Sequence, residues 1–435
     1  MTNNPGDWAG DSDPEGPNPF RGTPFEQFFS GSGMPDLSMI FTQMQSLMQP
    51  HDGPINWDIA LDTARKLVAQ EPDPSPSQRQ TDAVADAIRL ADHWLDDATQ
   101  FPSGVQTTAA WSRAEWVVKT TDVWKILVEP VVKHLVAAMG SALPSEAQAM
   151  AGPLLGMLEK VTGLMVAGQV GQALGGLASE VLSASDIGLP LGPAGQAALV
   201  PSNVATFAAG LDLDEQDVLL YLALREAAHQ RLFAHVPWLR DHLIGAVADY
   251  AGGVEIDVTG LEDQLRSIDI SNPAAIQEAM QGGLFEPKET PAQRAALSRL
   301  EVTLALVEGW VDEIVGQAIE GRMPAAVKLQ ETWRRRRAAG GPAEETFAAL
   351  VGLELRPRRL RDASTLWGSL RTRQGPEARD GVWMHPDLLP TAEDLDDPLG
   401  FREGASTPTA LSSDEFDAEL RTLLEGGLGG DEPTA

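Results

Sequence analysis

Residues 214–249 read DEQDVLLYLALREAAHQRLFAHVPWLRDHLIGAVAD, and the rest of the chain is best read outward from them. Asp214, Glu215 and Asp217 gather at the start, where a helix dipole favours negative charge. Val218, Leu219, Tyr221, Leu222 and Leu224 follow as the apolar body of one long helix. Polar residues interrupt it from Arg225 to Arg231. The spacing predicts that the helix continues to about Ala234, because Pro237 excludes the α conformation at Val236.

Other helices follow the same logic on either side. Periodic apolar segments predict helices over roughly 56–70, 78–100, 107–140 and 145–180, separated by Glu71-Pro72-Asp73-Pro74-Ser75-Pro76 and by Phe101 to Gly104. Val161 to Ser179 carries no charge and is about as long as a membrane span. Its five glycines and its Gln169 and Gln172 instead predict a buried helix packed closely through glycine. The best strand candidate is Val254 to Val258. These readings give a mainly α chain with at most a few short strands.

The ends read differently. Residues 1–36 hold six Pro and six Gly and read as a flexible leader. Leu37, Ile40, Phe41, Met44 and Leu47 predict an amphipathic helix within 37–56, which also contains a linker. A helical domain over 57–400 follows, then an acidic tail, 401–435, whose Phe416, Leu420, Leu423 and Leu424 mark a short amphipathic helix. Residues 322–379 reverse the local charge, with 13 Arg or Lys against six acids. The run Arg334 to Arg337 reads as a solvated helix face paired with the chain's own carboxylates.

Composition excludes several classes of function. Among 435 residues, 32 Lys and Arg face 63 Asp and Glu, for a formal charge of -31. That balance argues against a nucleic-acid partner. With 0 Cys there is no thiolate nucleophile or Cys-bound zinc, so a metal would depend on His and carboxylates. The first residues show no secretory signal, so the cytoplasm is the expected compartment, with no membrane span. A peptide or protein is the partner class left open, and the oligomeric state is not legible.

Arg225-Glu226-Ala227-Ala228-His229 has the shape of the helix motif of zinc proteases, with Arg where the first His stands. In the intact motif two histidines one helical turn apart bind zinc, and the intervening Glu acts as general base. Together with Leu306-Val307-Glu308-Gly309-Trp310-Val311-Asp312, the run LREAAHQRLFAHVPWLRDHL resembles the zincin-like metallopeptidase family of actinobacterial proteins. Members are often labelled hydrolases or zinc-dependent metalloproteases, and one branch is linked to deazaflavin coenzyme biosynthesis. The resemblance spans about Trp57 to Gly400. It implies a zincin-like helical core, a zinc cofactor held by His229 and Glu308, Glu226 as catalytic base, and Asp312 in support behind Glu308.

Arg225 departs from the pattern. It removes one ligand and adds a permanent cation where the metal would sit. His235 has the spacing of the third histidine of a longer motif, yet Leu232 replaces the glycine needed for the turn, so His235 is expected behind the site at the helix end. Two functions follow. One is a zinc-dependent hydrolase of reduced activity. The other is a catalytically inactive relative that keeps the fold for binding, scaffolding or regulation, with Arg225 replacing the metal by pairing with Glu308 or Asp312. An Arg225 on a solvated helix face is the simpler alternative to such pairing.

Overall fold

The computed structural model describes residues 53–141, 152–252, 290–338 and 359–402, all within one compact unit. The leader, the 37–56 helix up to residue 52, the Val254 to Val258 strand and the tail from residue 403 lie outside these residues. Twelve α-helices occur among the described residues: α1 (Trp57–Val68), α2 (Gln78–Leu95), α3 (Arg113–Ser141), α4 (Gly152–Ala178), α5 (Pro201–Ala209), α6 (Glu215–His235), α7 (Pro237–Gly252), α8 (Pro291–Ile319), α9 (Ala326–Ala338), α10 (Leu360–Gln374), α11 (Pro376–Gly381) and α12 (Ala392–Asp396). Two strands, β1 (Thr107–Ala110) and β2 (Gln196–Leu199), pair in parallel, with Thr107 opposite Gln196 and Ala110 opposite Leu199. The fold is mainly α.

Local chemistry sets the helix limits. Ser77 and Gln80 cap α2 reciprocally, and Thr290 and Gln293 do the same for α8, with Pro291 in its first turn. The α6 helix opens on Asp214, whose side chain accepts the Gln216 N–H, and stops at His235, just before Pro237. The segment predicted as helix over 107–140 splits. Ser112 Oγ accepts the Glu115 N–H while Glu115 accepts the Ser112 N–H, so the helix starts at Arg113 and frees Thr107 to Ala110 for the sheet. The charge-free stretch sits in α4, and among the described residues no helix is long and apolar enough to cross a membrane.

Packing makes α6 the hub. It touches α2, α5, α7, α8, α9 and β2, and every residue from Tyr221 to Leu232 is buried. A helix enclosed on all sides has no solvated face, so Arg225, Glu226, His229 and Arg231 each need a partner inside the protein. Arg231 finds Asp92 and Asp96 together with the carbonyls of Asp92 and Phe101, which fastens α6 to the end of α2. Trp116, Trp124, Trp310, Trp367 and Trp383 are fully buried in the hydrophobic core that the apolar residues of α6 share. At Gly309 the α8 and α10 helices come so close that a Cβ would lie 2.5 Å from the Ala363 Cβ.

A second buried polar network locks α11 to α8 and to the segment that follows α2. Arg379 donates to Glu313, Asp380 and the Ala98 carbonyl, and Asp380 accepts from Thr99, the Gln100 N–H and the Trp310 indole. Arg371 adds a second guanidinium on Glu313 at 2.6 Å.

Candidate functional site

Arg225 and His229 stand one turn apart on α6, on the face turned to α8. The Arg225 Nη2 donates to Glu308 Oε2 at 2.6 Å, and His229 Nε2 lies 3.0 Å from Glu308 Oε1. The other ring nitrogen, Nδ1, donates to the Arg225 carbonyl at 2.8 Å, which fixes the orientation of the imidazole. All three side chains are buried, Arg225 to 3% exposure and Glu308 to 0%. Behind the carboxylate, Gly188 has a φ of +77°, and a Cβ there would come within 3.0 Å of Glu308 Oε1. Glycine at 188 therefore lets that backbone close on Glu308.

Electrostatics decide the state of Glu308. Burial alone raises its pKa, but Arg337, Arg225 and His229 outweigh it and hold the carboxyl well below the usual carboxylate range. Glu308 is thus an anion clasped by cations. Arg225 also lies over the Trp333 ring, with the guanidinium carbon 4.3 Å from the ring centre. Its Nε and Nη1 make no hydrogen bond.

Glu226 points elsewhere. It accepts the Ser185 N–H at 3.0 Å and the Gln230 amide at 3.0 Å, with Ser185 Oγ at 3.5 Å, and its burial pushes the carboxyl up. It therefore faces the segment around Ser185 rather than Glu308. Asp312, one turn beyond Glu308, gives Oδ2 to Arg334 at 2.6 Å and to Ser364 Oγ at 2.8 Å. His235 is exposed at the end of α6, with its ring stacked 6.0 Å from Phe101. The structure thus brings Arg225, His229 and Glu308 together and leaves Glu226, Asp312 and His235 outside that contact.

What the sequence did not show is that α9 brings its arginines to Asp312, Asp186 and Glu308. Arg334 binds Asp312, Arg336 binds Asp186 and the Glu180 carbonyl, and Arg337 Nε lies 3.9 Å from Glu308 Oε2. All four arginines pair with the chain's own carboxylates as expected, but only Arg335, with Glu331, does so on an exposed face. The available signal was Trp333, whose indole one turn before Arg336 and Arg337 marks that side of the helix as the inner one.

A catalytic zinc takes three protein ligands and a water. Of the three residues in contact only His229 and Glu308 have side chains that could serve as ligands, and among the described residues no group of three or more His, Cys, Asp or Glu could hold a metal ion. These residues do not fit a zinc site of that kind.

A buried histidine on one helix set against a glutamate from a later helix is nonetheless the plan of a zincin-like protein. The chain belongs to the zincin-like metallopeptidase family, whose sequence profile matches residues 55–401. It is also similar in fold to a crystal structure of a protein from Chloroflexus aurantiacus provisionally named a hydrolase with a novel fold. The TM-score is 0.57 at 20% identity, over 79% of this chain and 96% of that one. No curated protein matches the chain.

Proposed function

We propose that the protein keeps the metallopeptidase scaffold as a catalytically inactive binding or regulatory protein, in which the Arg225 guanidinium stands where the family's metal would. The observation that carries this reading is the buried contact of 2.6 Å between Arg225 and Glu308. A divalent ion about 4 Å from that guanidinium would be repelled by roughly 8 kcal/mol at an effective dielectric near 20. Structural zinc sites are worth about 10–16 kcal/mol, so one arginine offsets half or more of the affinity. The placement of Glu226 supports the same conclusion, since its carboxylate oxygens already accept from Ser185 and Gln230 and it makes no contact with Glu308.

The ligand class this reading leaves is a peptide or a protein. The test is hydrolysis of a broad peptide library by the full chain with zinc supplied, beside a His229→Ala variant. No turnover above the variant is expected. Turnover that His229→Ala abolishes would establish the zinc hydrolase instead.

A further inference from the structure

Glu308 Oε2 has two guanidinium neighbours from two helices: Arg225 Nη2 of α6 at 2.6 Å and Arg337 Nε of α9 at 3.9 Å. Arg337 is nearly as enclosed as Arg225, at 8% against 3% exposure. Several contacts hold α9 in this register. Arg334 binds Asp312 one turn along α8, Arg336 reaches Asp186 and the Glu180 carbonyl, Leu329 is fully buried, and Trp333 lies beneath Arg225. Trp333 and Arg337 are four residues apart, so the face that supports the Arg225 guanidinium also delivers the second cation.

We infer that α9 is part of the site, and that Arg225 and Arg337 together supply to Glu308 the two positive charges that a divalent metal would bring. This rests on the reading of Arg225 as a stand-in for the metal, and it adds a consequence which that reading alone does not contain. Restoring a histidine at position 225 does not by itself reopen the site, because Arg337 still faces the carboxylate oxygen. A fixed cation about 4 Å from that oxygen, inside the protein, lowers the affinity for an incoming dication by more than about tenfold.

Zinc titration calorimetry on the full chain tests this with wild type, Arg225→His, and Arg225→His combined with Arg337→Gln. The double variant is expected to bind zinc at least tenfold more tightly than the single one. Equal affinities, or no binding by either variant, would overturn the role of Arg337. Tight zinc binding by wild type would overturn the reading of Arg225 and this inference with it. A second measurement does not depend on zinc. Arg337→Gln should lower the melting temperature of wild type by more than it lowers that of Glu308→Gln, because the carboxylate that Arg337 faces is then gone. An equal drop in both backgrounds would show that Arg337 acts through other contacts, and would overturn the proposal.

Discussion

The Arg225 guanidinium lies on the face of Trp333, 4.3 Å from the ring centre, while its Nη2 holds Glu308 at 2.6 Å, so one side chain joins α6, α8 and α9. A buried ion pair contributes little over a well-packed apolar substitute, yet removing one partner strands the other charge. Arg225→Ala should therefore destabilise the protein by about 3–5 kcal/mol. Urea denaturation checks this, and Glu308→Ala should lose a similar amount. The combined variant should lose less than the sum, since the second change removes the stranded charge. Strictly additive losses would mean that the two residues do not act on each other.

Glu226 predicts a dependence on the alkaline side of the carboxylate range. Burial raises its pKa in the folded state. Its proton therefore contributes stability that is fully present below the unfolded value, about 4.3, and is lost as pH rises through the folded value. Glu226→Gln stays neutral and can still accept the Ser185 N–H. Relative to wild type it should gain stability from pH 5 to pH 8. A difference that stays constant across that range would show that Glu226 does not hold its proton.

Glu308 predicts the opposite limb. Against the effect of its burial, Arg337, Arg225 and His229 depress its pKa. The stability it contributes is present above the unfolded value, about 4.3, and is lost as pH falls through the folded value. Wild type should weaken steeply in acid, while Glu308→Gln should start weaker and lose less there. Parallel acid profiles for the two would contradict the clasped anion.

Gly309 sets two effects against each other. Alanine is favoured over glycine inside a helix by about 1 kcal/mol. Here the added Cβ would lie 2.5 Å from the Ala363 Cβ and 2.7 Å from the Ser364 nitrogen, both fixed on α10. Overpacking of this kind costs roughly 1–3 kcal/mol, and backbone on the far side cannot give way as a flexible side chain would. Gly309→Ala should lower the melting temperature, and a rise would mean that α8 and α10 sit further apart.

The sequence carried the helices well where end signals were explicit. The linker from Glu71 to Pro76 marked the start of α2, and Asp214 and Pro237 marked the two ends of α6, while α2 stops at Leu95, short of the expected 100. The strands β1 and β2 were invisible because Thr-Thr-Ala-Ala and Gln-Ala-Ala-Leu have neither the length nor the alternation that mark a strand. Their pairing depends on contact between distant segments. His229 and Glu308 were singled out through the resemblance to the family, and the structure sets them 3.0 Å apart. The inward turn of Arg334, Arg336 and Arg337 could not be foreseen, because charge alone suggests solvent and only the acids waiting on α8 and near Asp186 reverse that preference. The network of Arg379, Glu313 and Asp380 was hidden for the same reason: its members are commonplace residues until the fold buries them together.

Elemental analysis of the purified full chain, paired with thermal unfolding before and after chelation, tests the central claim most directly. With Arg225 in place of a ligand, the chain should carry well under one zinc per molecule, and a chelator should leave its melting temperature unchanged. One tightly held zinc per chain, whose removal lowers the melting temperature, would contradict the account.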